Sequence, residues 1–157
     1  MKKTKRKKER REPKPKRDLI MFADDYGPDR KILFDSLRRM LPLYDLRGHT
    51  QLSTLVETLL IVRPRMLILD RKFSDGQRKK HPDAEDATLL AISIREKCPE
   101  LAKMPILIYS RLTSTAGAAG FSDKNKGIGI WSRPKDVDHS LLVDHIQEIL
   151  KQWPKEP

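Results

Sequence analysis

Two short apolar runs end abruptly in carboxylates, and this pattern restricts the fold more than any other feature of the chain. Leu19-Ile20-Met21-Phe22-Ala23 leads straight into Asp24-Asp25, and Met66-Leu67-Ile68-Leu69 leads into Asp70. An apolar run of four or five residues bounded by polar punctuation reads as a strand buried on both faces, as in a parallel sheet. Three more strands are expected: Leu43 to Leu46, Ile106 to Tyr109 behind Pro105, and Ile128 to Trp131.

Helical spacing fills the intervals. Pro28 suits the first position of a helix whose apolar side holds Ile32, Leu33, Leu37, Met40 and Leu41, with Pro42 as its stop. Thr50 is the expected cap of a second helix reaching Val62, with Leu52, Leu55, Val56, Leu59 and Leu60 inward. A third helix spans about 87 to 97, and the Gly- and Ala-rich segment 110 to 129 allows a short or irregular one. The last runs from about Val137 to Gln152, with Leu141, Leu142, His145, Ile146, Ile149 and Leu150 on one face. Strands alternating with helices predict a doubly wound α/β domain. The expected organisation is a basic tail at 1 to 17, one domain over 18 to 152, and a short terminal segment at 153 to 157.

The net charge of +11 suggests a nucleic-acid binder until it is located. Residues 2 to 17 hold eleven of the 33 Lys and Arg residues against Glu9 and Glu12 alone. Nine of the eleven net charges therefore lie in that tail, which is expected to be disordered. It lacks the interleaved aromatics that stack on bases. Such a tail is usually a solvated arm; contact with nucleic acid, or with an anionic membrane surface, is open to this chain only through it. No run approaches the roughly 18 apolar residues of a membrane span. Cys98 stands alone, which points to a reducing cytoplasm and a small core residue rather than a disulfide.

Other chemistries find no support. The glycines at 117, 120, 127 and 129 form neither a GxxxxGK[ST] loop nor a GxGxxG turn. His49, His81, His139 and His145 have no metal-ligand spacing, and no GxSxG elbow accompanies Ser110. What remains is the set of acids at strand ends, where open α/β sheets gather their chemistry. If the first and third strands are neighbours, Asp24, Asp25 and Asp70 converge. Three such charges call for a divalent cation or for pKa values driven apart, and an oxygen cluster open to water suits Mg²⁺.

Over about residues 18 to 152 the chain resembles the receiver (REC) domain of bacterial two-component response regulators. IMFADD ends the first strand, MLILD the third and PILIYS the fourth, and SRP follows the fifth. The resemblance implies a flavodoxin-like, five-stranded parallel sheet in the order 2-1-3-4-5. It implies Asp70 as phosphoacceptor, Asp25 as a direct Mg²⁺ ligand, Asp24 as a ligand through water, and the Lys72 backbone carbonyl in the metal shell. The Ser110 hydroxyl would meet a phosphoryl oxygen, and Arg133 would stand where the family carries lysine. Implied partners are a sensor histidine kinase or phosphotransfer protein and a downstream protein target, and pairing of two copies belongs to the same repertoire. Such a protein accepts a phosphoryl group in a phosphorelay and is not an enzyme with its own turnover.

Some positions depart from the family pattern. Arg133 replaces lysine, Arg111 follows the hydroxyl where a small residue is usual, and Ile130 takes the aromatic switch position beside Trp131. The loop after Asp70 has no proline and leads to a basic insert, Gln77 to His81. With four residues after Trp153, the expectation is a single-domain regulator with output through protein contacts. The alternatives are a non-phosphorylated receiver serving as an interaction scaffold, and a nucleic-acid binder acting through the tail with the receiver as its regulator.

Overall fold

Apolar strands flanked by amphipathic helices have one economical arrangement, a central sheet with helices on both faces, and the chain adopts it. The computed structural model describes residues 17–23, 27–69, 87–110, 127–134 and 138–153. Strands β1 (Asp18–Ala23), β2 (Tyr44–His49), β3 (Met66–Leu69), β4 (Ile106–Ser110) and β5 (Ile130–Pro134) form one parallel sheet in the order β2-β1-β3-β4-β5. Among the described residues three α-helices lie between strands, α1 (Gly27–Met40), α2 (Leu55–Val62) and α3 (Ala87–Lys97), and a fourth, α4 (His139–Gln152), follows β5.

The pleat divides the core into two layers. Met21, Ala23, Leu67, Leu69, Ile106, Ile108 and Ile130 face Leu55 and Leu59 of α2 and Ala91 and Ile94 of α3. Their neighbours one residue along, among them Phe22, Ile68, Leu107 and Trp131, face Leu33, Phe34 and Leu37 of α1 and Leu142, Ile146 and Ile149 of α4. This is period-two alternation with both faces apolar, which is why the strands read as unbroken hydrophobic runs. Each fully buried Leu or Ile contributes roughly 1.5–3 kcal/mol relative to exposure. Phe22 and Phe34 meet edge to face with centroids 4.9 Å apart, joining β1 to α1. Cys98 is buried in the first layer, as a small core residue.

One cation fastens the turns before β4 and β5. Arg95, near the end of α3, donates to the carbonyls of Leu101 (2.6 Å), Met104, Ile128 (2.8 Å) and Gly129 (3.1 Å). Burial pushes its pKa down to about 10, still far above neutrality, and carbonyl oxygens can only accept from it. Arg95 therefore stays a cation and answers the lost hydration with hydrogen bonds to polar backbone. Gly129 lies beside it at φ +77°, where an added Cβ would come within 2.8 Å of the Trp153 ring and 3.0 Å of Arg95. Glycine is required there on both counts.

Several boundaries differ from the sequence reading. β5 begins at Ile130 rather than Ile128, because the left-handed Gly129 cannot continue a strand, and it runs on through the polar Ser132 and Arg133. β2 starts after the exposed Leu43 and extends to His49, held by pairing with β1. Thr50 does not cap the second helix: a 3-10 turn, Leu52–Thr54, precedes α2. Asp138 caps α4 instead of Val137 opening it, accepting from the Ser140 N–H at 3.3 Å. Ile32, Met40 and Leu141 are exposed, while Phe34 and Val143 take core positions. The irregular segment expected within 110 to 129 lies mostly outside the described residues.

Candidate functional site

All five strands point the same way, so their carboxyl ends define one edge of the sheet. At that edge β1 pairs with β3 through Ala23↔Leu69 and with β2 through Ala23↔His49. β3 pairs with β4 through Leu69↔Ile108, and β4 with β5 through Tyr109↔Arg133 and Ser110↔Pro134. Ala23 and Leu69 are the residues immediately before Asp24 and Asp70. The backbone therefore carries β1 and β3 to the same edge in register, with their last residues on one face and buried.

Asp24, Asp25, Asp70, Lys72 and Arg111 lie outside the described residues, as does the 77–81 insert. Among the described residues no group of three His, Cys, Asp or Glu side chains could hold a metal ion. Ser110 is the last residue of β4, in register with Pro134.

Arg133 is half-buried on the α4 side of β5. Its Nη1 donates to the Ser132 carbonyl at 2.7 Å, and its Nε donates to His145 Nδ1 at 3.3 Å. That second bond needs an imidazole with Nδ1 unprotonated. A planar guanidinium can hold two such directions at once, which a lysine ammonium on a flexible stem does less well. His145 was expected only as part of the apolar face of the last helix. Its contact across twelve residues to β5 has no local sequence signal.

Ile130 opens β5 with 1% exposure inside the core layer facing α3, and Trp131 is buried on the opposite layer. Trp131 meets Trp153 edge to face at 6.1 Å. The aromatic in this strand is thus a packing residue joined to the chain beyond α4. His49, at the carboxyl end of β2, donates through Nε2 to the Gln51 carbonyl at 2.8 Å and sits 3.0 Å from Thr54 Oγ1. It ties the turn into α2, a local role compatible with its lack of ligand spacing.

No protein-family model matches the sequence, and no curated protein is a significant match. Solved structures do match. A candidate response regulator from Chloroflexus aurantiacus J-10-fl superposes with a TM-score of 0.66 at 21% identity, covering 87% of this chain and 100% of that one. The signal receiver domain of a DNA-binding response regulator from Colwellia psychrerythraea 34H gives 0.65 at 15% identity, over 86% and 99%. The BeF3-activated N-terminal receiver domain of RstA from Klebsiella pneumoniae gives 0.62 at 17% identity, over 86% and 100%. This chain has the receiver fold. The strand order and the resemblance read from IMFADD, MLILD, PILIYS and SRP agree with that assignment. No helix among the described residues is long and apolar enough to cross a membrane.

Proposed function

We propose that this receiver fold works as a phosphoryl-accepting switch, with Asp70 as acceptor. The observation that carries the reading is the Ala23↔Leu69 pairing, which brings the chain positions just before Asp24 and Asp70 to one edge of the sheet. Neighbouring strands lie about 4.8 Å apart, so carboxylates carried one and two residues further can share one small oxygen-loving ion. In this proposal Asp24, Asp25, Asp70 and the Lys72 carbonyl hold Mg²⁺, which supplies charge neutralisation for the incoming phosphoryl group. An Asp70 oxygen attacks phosphorus, the donor's bridging bond breaks, and an acyl phosphate forms. The Ser110 hydroxyl and the guanidinium groups of Arg133 and Arg111 would steady the phosphoryl oxygens.

The protein is then a stoichiometric acceptor and not a turnover catalyst. A histidine kinase or phosphotransfer protein supplies the group, and the output passes to a protein target by surface contact. We place this exchange in the cytoplasm, a setting that the single buried thiol of Cys98 suits.

The test is incubation with Mg²⁺ and acetyl phosphate, followed by intact-mass measurement. The wild type should gain one base-labile phosphoryl group, and Asp70→Asn should gain none. A second reading, an unmodified receiver acting as an interaction scaffold, draws on two observations: Arg133 is already bonded to His145 and Ser132, and Ile130 is locked in the core. Absence of modification on both proteins would favour that scaffold.

A further inference from the structure

The amino edge of the sheet, opposite the acids, carries two adjoining hollows. One, of about 400 Å³, is walled by Arg63, Arg65 and Lys103; the other, of about 750 Å³, by Arg38, Tyr44 and Arg47. They share Arg17, Leu19 and Val62 as common walls, so they adjoin under β1 and β3 and continue up the open side of β2 as far as Arg47, the register partner of Met21. Six cations line it, Arg17, Arg38, Arg47, Arg63, Arg65 and Lys103, against three acids, Asp18, Asp45 and Glu100.

Cations collect here for a topological reason. Helices return antiparallel to the strands, so the ends of α1 and α2 arrive at this edge, where basic residues complement the helix dipole. Their number exceeds that need. Arg63 is braced on the Leu60 carbonyl, Arg65 on the Leu150 carbonyl, and Arg38 on Asp35 at 3.5 Å. Arg17, Arg47 and Lys103 are in no ion pair with a described residue, and all three are exposed. Arg17 also continues a segment in which residues 2 to 16 hold ten Lys and Arg residues against two acids. Like charge argues against that segment filling the groove and for a polyanion shared by both.

We propose that this groove binds single-stranded nucleic acid. Five of the six cations are arginines, whose fork matches phosphate oxygens, and Tyr44 lines the same walls, half-buried with one side packed on the core layer under α1, so that its remaining exposed part is what a base would meet. The surface is concave, so a planar bilayer would reach exposed Ile61 at its wall but not the cations set deeper between the strands and helix ends. Nucleic-acid contact therefore extends from the tail onto the folded domain.

The experiment is fluorescence anisotropy of the full chain with a fluorescein-labelled oligouridylate over a series of NaCl concentrations. Arg17→Glu and Arg47→Glu should each weaken binding about tenfold and flatten the salt dependence by about one phosphate contact. Lys31→Glu, the same charge change on α1 near the other edge, should weaken it less than about threefold. Circular dichroism melts check that these exposed substitutions leave the fold intact. Equal losses for Lys31→Glu and Arg47→Glu would overturn the proposal and leave binding to the tail and net charge. Tighter binding of phosphatidylserine vesicles or polyglutamate than of RNA, with the same dependence on Arg47, would overturn it too.

Discussion

At one edge of this sheet the described residues tie backbone to backbone, while at the other the acids of the chain follow β1 and β3 in sequence. At the amino edge the backbone is tied by specific tertiary devices: Arg95 on four carbonyls, Gly129 under the Trp153 ring, and Arg63 in the left-handed region at φ 48° between α2 and β3. At the carboxyl edge the described residues include contacts of Arg133 with His145 and of His49 with Gln51. Stability and chemistry are therefore open to separate tests at the two ends of one sheet. A change at one end should then leave the other largely alone.

The largest expected effect tests the chemical end. Asp70→Asn should abolish acyl-phosphate formation while leaving the melting temperature unchanged or raised, since it removes one of three neighbouring acids from the proposed site. A fall in melting temperature would break the comparison by giving Asp70 a structural role.

Gly129→Ala tests the structural end. A left-handed backbone costs an alanine about 1–2 kcal/mol, and the Cβ contact with Trp153 adds an overpacking cost of roughly 1–3 kcal/mol. Denaturant unfolding should show a loss of about 2–5 kcal/mol, with phosphorylation by acetyl phosphate retained at temperatures where the variant is folded. Arg95→Met follows, with an expected loss of about 2–3 kcal/mol as partly buried carbonyls lose their donor. An unfolding midpoint equal to wild type would show that water replaces the guanidinium at no cost.

The smallest effect is expected back at the carboxyl edge. Asp138→Ala removes the side-chain cap of α4 and should lower stability by about 1 kcal/mol. A loss as large as that of Gly129→Ala would erase the contrast between the two edges.

The central strands were open to inspection in the chain because burial on both faces demands unbroken apolar runs, and β1 and β3 match their expected spans. The edge strands were harder to see. Ile128-Gly129-Ile130-Trp131 looks like a strand by alternation, yet Gly129 turns the chain and the strand runs on through Ser132-Arg133-Pro134 because β4 supplies its partners. The same holds for Arg47-Gly48-His49, which are extended only because β1 lies beside them. Helix faces were read correctly at their centres, Leu33, Leu37, Ile146 and Ile149, and less well at their margins, Ile32 and Leu141.

Local pattern was thus enough for the class of fold and for the places where acids follow strands, because solvent exclusion acts residue by residue along the chain. It was silent on the grip of Arg95, the Arg133–His145 contact and the basic groove beneath β1 and β2. Those depend on segments remote in sequence arriving at the same point in space, and hydrogen bonds and charge respond to that proximity rather than to neighbours in the chain.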